Sequence, residues 1–183
     1  YWKWKVPFVS MSDIDQFTGI NSKFELKPYE EIKTGYTKFE KNSVLVAKIT
    51  PCTENNKTAI MSNINGGFAT TEVYPIQALE SLNPEYLLFY FRSPEIREQL
   101  ILNMIGATGR QRVPSESIKK LSLPIPDLTK QKNVIEYIKS LQIKIEKTKI
   151  DLNKKLESLK SLKSSILNSA FKGELWEVFR KKN

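Results

Sequence analysis

At 183 residues, with 29 Lys/Arg against 20 Asp/Glu and a net charge of +9, the chain has room for one ordinary domain plus an appendage and suits a polyanionic partner. Its single cysteine, Cys52, excludes an internal disulfide, and the lack of histidine excludes a Cys/His zinc site and the Ser-His and Cys-His nucleophilic pairs. No run is apolar enough to span a membrane and no charged-then-apolar leader opens the chain, so a cytoplasmic protein without metal or cofactor is expected.

The first residues, YWKWKVPFV, read as the start of a strand rather than of a protein, and a preceding segment is expected. Strand-like runs follow at residues 43–49, 57–62 and 68–74, separated by Asn-, Gly- and Pro-containing turns. Asn65-Gly66-Gly67 carries the residues that a tight turn needs, because they tolerate positive φ. The period then changes. Asn83-Pro84-Glu85 combines an N-cap, a first-turn proline and an acid suited to the helix dipole, which predicts a short helix carrying Leu87, Leu88, Tyr90 and Phe91. A second helix is predicted over 94–104, stopping at Gly106. Residues 113–125 are predicted to return through a short helix and a strand that Pro124 and Pro126 end. Residues 1–128 therefore read as a mixed α+β domain.

From Thr129 the pattern is helical, with no proline or glycine before Gly173. Val134, Ile138, Leu141, Ile145, Thr148, Leu152, Lys155, Leu159, Leu162, Ile166 and Ser169 alternate by four and three, a repeat of about 3.5 residues over about five heptads. A helix over 129–172 makes a rod of about 60 Å, longer than one domain needs to cover its own core. Its seam calls for another helix of similar length, which this chain lacks, so the expected partner is another chain. The pairing residues are Val134, Ile138, Leu141, Ile145, Leu152, Leu159, Leu162 and Ile166. Polar Thr148, Lys155 and Ser169 either fix register or, at Lys155, give way to Leu156 while the lysine stem snorkels. The basic excess lies here. Residues 129–183 carry 14 Lys/Arg against 6 Asp/Glu, whereas residues 1–128 carry 15 against 14. The lysines form either a solvated face or one turned to a polyanion. Residues 173–183 make a C-terminal tail.

No active site is legible. Asn83-Pro84-Glu85-Tyr86 is similar to the Asn-Pro-Pro-Tyr motif of amino-methyltransferases, but glutamate replaces the second proline and no glycine-rich loop lies upstream, so it reads as a helix start. Glu31-Ile32-Lys33 has the Glu-x-Lys spacing of some nucleases without a suitable acid before it. Gly106-Ala107-Thr108-Gly109 matches the Gly-x-x-Gly of KH domains, although the surrounding order of elements is not theirs. The residues after it carry more. Thr108, Arg110, Gln111 and Arg112 cluster donors in a glycine-flexed loop. Arginine grips guanine O6/N7, glutamine pairs with an adenine edge, and either arginine equally suits a phosphate. The alternatives are a solvated loop, or an arginine paired with Glu116.

Ordered blocks across nearly the whole chain resemble the specificity (S, or HsdS) subunit of type I restriction-modification systems. VPFVSM at 6–11 resembles that family's Phe-Val-x-Met strand, and VLVAKITPCTENNKTA at 44–59 its "DVLxAKITPCxENGK" block. FATTEV at 68–73 resembles "GxTEF", and GATGRQRVP at 106–114 resembles "GxxGQQRV". LPIPDLTKQ at 123–131 resembles the "LPxPxLxEQ" join into the family's helix, and SAFKGEL at 169–175 that helix's terminus. Asn56 stands for the glycine of "ENGK", and Lys130 for the usual glutamate before Gln131.

The resemblance implies a target recognition domain followed by one long helix that forms an antiparallel coiled coil. A full subunit has two such units, so this chain is a half-subunit or a fragment. The implied partners are double-stranded DNA, methyltransferase (HsdM) subunits, a restriction (HsdR) subunit, and a second copy or a longer S subunit; the S subunit itself catalyses nothing. Expected DNA contacts are Lys48, Thr50, Lys57, Thr70, Thr71, Thr108, Arg110, Gln111 and Arg112. A reading of another class is a coiled-coil scaffold with a head that does not bind DNA, favoured by the near-neutral charge of residues 1–128.

Overall fold

A computed structural model describes residues 4–21, 23–61, 63–173 and 180. Tyr1, Trp2 and Lys3 of the expected leading strand, Ser62 of the second strand run, and the expected tail apart from Gly173 and Arg180 lie outside the described residues. The chain divides into two units after Ile135.

The first unit holds two four-stranded sheets. One runs in the order β3 (Glu25–Pro28), β1 (Lys5–Val9), β7 (Gly66–Ala69), β4 (Thr37–Glu40). The other runs β2 (Ile20–Asn21), β6 (Thr58–Met61), β5 (Ser43–Ala47), β8 (Val73–Gln77). β1 with β7 and β2 with β6 are parallel, the remaining pairs antiparallel. The short helix α1 (Tyr29–Ile32) follows β3, and α2 (Pro84–Arg92), α3 (Pro94–Leu102) and α4 (Ser115–Lys119) follow β8.

Side-chain alternation makes the layers. All five residues of β5 are buried, because both faces of its sheet are covered. Leu45 points with Val73, Ala59 and Met61 toward Val9, Phe39 and Ala69 of the first sheet. Val44, Val46 and Ile60 face Leu87, Leu88 and Phe91 of α2 and Ile96 and Leu100 of α3. Outside the first sheet, Phe8 and Phe68 pack on Ile32 of α1. Each fully buried Leu, Ile or Val contributes about 1.5–3 kcal/mol.

Capping is local and follows the sequence. The Asn83 side chain accepts from the Glu85 amide at 2.8 Å and Pro84 begins α2, so the Asn-Pro-Glu-Tyr motif is a helix start. Ser93 ends α2, and its hydroxyl accepts from the Ile96 amide to start α3.

Three expectations are corrected. The run 68–74 is two strands, β7 and β8, in different sheets, because the chain turns at Thr70-Thr71-Glu72. The stretch after α4 is not a strand. Pro124 and Pro126 have no N–H for a ladder, and the carbonyls of Ser122 and Pro124 accept instead from the Tyr90 and Tyr86 hydroxyls of α2. Gly66 and Gly67 do not form a tight turn but begin β7. There a Cβ on Gly67 would sit 2.4 Å from the Pro7 carbonyl oxygen of β1. Gly67→Ala is therefore expected to force β1 and β7 apart and cost about 2–3 kcal/mol, read by chemical denaturation; an unchanged midpoint would mean that the strands separate freely.

The long helix α5 (Leu128–Phe171) spans 44 residues, about 66 Å. The Asp127 carboxylate accepts from the Lys130 amide at 2.9 Å, which caps the helix and holds that carboxyl below its usual pKa. Within α5 only Gln131 and Ile135 are buried, both in the first unit. Gln131 accepts from the Asn83 amide at 2.7 Å and donates to the carbonyls of Ser81 (2.9 Å) and Pro126 (2.7 Å).

In the second unit Leu141, Ile145, Leu152, Leu159, Leu162 and Ile166 are all exposed, with Ile150, Leu156 and Leu167. Ion pairs Glu146–Lys149 and Glu157–Lys160 lie on the helix surface. Among the described residues, no helix is long and apolar enough to cross a membrane.

Candidate nucleic-acid interface

Three segments distant in sequence meet at one end of the second sheet. The loop 106–111 is closed at its base by reciprocal bonds between the Ile105 and Arg112 backbones, 2.9 and 2.8 Å. A turn bond from the Arg110 amide to the Ala107 carbonyl shapes its tip. Gly106 makes the close turn possible. Its φ is +122°, and a Cβ there would lie 2.8 Å from the Arg110 carbonyl oxygen.

The second segment continues from β5. The Thr50 amide donates to the Gln111 carbonyl (3.1 Å) and the Val113 amide to the Lys48 carbonyl (2.8 Å), so residues 48–50 lie along the loop's returning arm. The third segment is the turn 70–72. The Lys48 amide donates to the Glu72 carbonyl (3.1 Å), and the Glu72 amide donates to Thr70 Oγ1 (3.3 Å). A groove lies between the loop and the second segment, lined by Ile49, Thr50, Ile105, Arg110 and Gln111 among others.

Side chains then link the three. Arg112 Nη2 donates to Glu72 Oε1 at 2.7 Å, across 40 residues of sequence. The expected alternative, a pair with Glu116, does not form; Glu116 pairs with Lys119. Lys48 Nζ lies 4.9 Å over the Tyr74 ring, whose hydroxyl donates to the Val113 carbonyl at 2.8 Å. Burial raises the Tyr74 pKa, with smaller opposing influences from Arg112, which lowers it, and Glu72, which raises it.

Of the residues singled out in the sequence, Lys48, Thr50, Thr70, Gln111 and Arg112 come together here, with Thr71, Thr108 and Arg110 exposed on the same turn and loop. Lys57 does not join them. Its ammonium donates to the Met11 carbonyl at 2.6 Å, and it lines a cleft with residues 12–18. Asn56, which stands for a glycine in the resembled block, has φ +57°, a left-handed conformation that asparagine tolerates better than most residues. Burial pushes the Cys52 thiol up, away from the reactive thiolate. Sequence reasoning missed Glu72, Tyr74 and Ile105; only Glu72 lay inside a quoted block.

The arrangement carries three cations, Lys48, Arg110 and Arg112, against Glu72, beside a groove whose lining is largely apolar, with Ile49 and Ile105 among its walls. It offers fork-shaped and amide donors to a polyanion with hydrogen-bonding edges.

The family model for the type I restriction modification DNA specificity domain matches residues 1–158. The EcoAI specificity subunit of Escherichia coli is 34% identical over 134 residues, 72% of this chain and 23% of that subunit. The EcoEI specificity subunit of Escherichia coli is 34% identical over 135 residues, with the same coverage. The StySPI specificity subunit of Salmonella potsdam is 25% identical over 174 residues, 93% of this chain and 37% of its own. The chain thus spans about a quarter of the length of the EcoAI and EcoEI subunits. Among solved structures, the HsdS subunit from Thermoanaerobacter tengcongensis superposes with a TM-score of 0.68 at 19% identity, over 80% of this chain and 38% of that one. A chain from a study of type I R-M complex assembly and conformational transition gives 0.69 at 19% identity, with the same coverage. These structures support the fold. On the family match and the two relatives, the chain belongs to the type I restriction-modification DNA specificity domain family.

Proposed function

We propose that the first unit reads one part of a double-stranded DNA target for a type I restriction-modification system. The observation that carries this reading is the convergence of Lys48, Thr50, the 70–72 turn and the 106–112 loop on one surface in a chain of this family. The domain directs methyltransferase and restriction subunits and performs no chemistry itself. Arg110, Gln111 and Arg112 reach base edges or phosphates in the major groove, with Lys48, Thr50, Thr70, Thr71 and Thr108 beside them. Lys57, whose ammonium is held by the Met11 carbonyl, is not among these contacts. The exposed seam of α5 pairs antiparallel with a second copy or with the helix of a longer S subunit, and the spacing of the two reading domains sets the distance between half-sites. The scaffold alternative finds no support among the relatives.

A retardation assay on the chain with its methyltransferase subunit tests this. Binding to random duplex is expected to weaken steeply with salt, because phosphate contacts release counterions. Arg110→Ala and Arg112→Ala are each expected to cost about 1–3 kcal/mol on the preferred site if they read bases, relaxing one position. A phosphate contact would instead weaken all sequences alike. Unchanged affinity and preference in both variants would remove the loop from the interface.

A further inference from the structure

The Arg112–Glu72 pair has a geometry that ordinary surface ion pairs lack. Arg112 is fixed at the backbone by its two bonds to Ile105 and flanked by the Thr50–Gln111 and Val113–Lys48 bonds. Glu72 is fixed by Lys48 through its carbonyl and by Thr70 through its amide. The carboxylate itself is mostly sheltered, with 23% of the side chain exposed, and its Oε2 is buried without a hydrogen-bond partner. The Arg112 side chain is 61% exposed. One guanidinium nitrogen is therefore bound by a sheltered acid while most of a planar, five-donor group faces solvent. A flexible arginine searching for a phosphate needs no such brace; an arginine aimed at a base edge gains from one, because less rotamer entropy is lost on binding.

The geometry points to Glu72 as a positioning residue for sequence reading: its carboxylate holds the Arg112 guanidinium in the orientation in which the free donors address a purine edge, most naturally the O6/N7 pair of guanine. This rests on the DNA-reading function proposed above. Glu72 also carries negative charge at a surface that faces phosphates. It should therefore oppose non-specific binding while it supports specific binding, and the two effects have opposite signs.

The experiment selects duplexes from a randomised DNA library with the full chain assembled with its methyltransferase subunit. It compares the unsubstituted chain with Glu72→Gln, Arg112→Lys, Arg112→Ala and the Glu72→Gln/Arg112→Ala pair. Thermal midpoints confirm that each variant is folded. Glu72→Gln is expected to flatten preference about tenfold at the base pair that Arg112→Ala also flattens. It should bind random duplex more tightly, and it should add nothing further in the Arg112→Ala background. Arg112→Lys, which keeps the charge but loses the fork, should behave like Arg112→Ala in preference. The inference is overturned if Glu72→Gln keeps the selected sequence intact, or if it changes affinity for all duplexes alike. It is equally overturned if Arg112→Lys preserves preference, which would make Arg112 a phosphate contact. If the unsubstituted chain selects no sequence at all, the proposed function fails and this inference fails with it.

Discussion

Gln131→Leu is expected to lower the thermal midpoint of the first unit by about 10 °C. The residue is fully buried at the start of α5 and serves three backbone groups: the Asn83 amide and the Ser81 and Pro126 carbonyls. Leucine fills nearly the same volume, so the loss is one of hydrogen bonds rather than packing. The Asn83 amide stands at the N-cap of α2, whose Leu87, Leu88 and Phe91 build the core on the second sheet. Taking this partner from the amide and from the two carbonyls costs about 2–4 kcal/mol, and for a chain of this size each kcal/mol moves the midpoint by about 2–4 °C. Differential scanning calorimetry measures it. A midpoint within a degree or two of the unsubstituted chain would mean that Gln131 is not the tie between the helix start and residues 81–83.

Leu152→Asp combined with Leu159→Asp is expected to give folded monomers. Both leucines are exposed along α5 and lie seven residues apart on one face of the heptad pattern. In a paired coiled coil both would be buried, and two carboxylates taken into that seam without partners should weaken association at least about a thousandfold, about 4 kcal/mol. The same changes on an isolated helix touch only solvent and should leave the first unit's thermal midpoint unchanged. Solution mass by light scattering, with and without the methyltransferase subunit, reads the result. An unchanged oligomer would place the pairing surface elsewhere.

What the sequence revealed depended on how local each feature is. The start of α2 was legible because Asn83 and Pro84 act within two residues, whereas α5 was found from its heptad repeat and its Asp127 cap went unread. The length of α5 was legible because no proline or glycine interrupts it. β5 was recognisable as an apolar run, but its place between two packed layers was not, since a doubly buried strand loses its alternation. β2, β3, β4 and α1 escaped notice because they are two to four residues long and rich in polar side chains. The 68–74 run gave no sign of its division, because the turn at 70–72 is held by Lys48, more than twenty residues upstream. In the candidate site the arginines announced themselves by type and by flanking glycines. Glu72 did not, because its partner is 40 residues away, and Lys57 looked available until Met11, 46 residues away, was found to hold it.

The central claim is that the surface formed by residues 48–50, 70–72 and 106–112 chooses the DNA sequence. Its most direct test is to map methylated sites across a host genome expressing this chain with its methyltransferase subunit, beside the Arg110→Ala/Arg112→Ala double variant. The account predicts a defined methylated motif for the unsubstituted chain, and a motif that is relaxed or lost at specific positions for the variant. The same motif in both, methylated to the same extent, would contradict it.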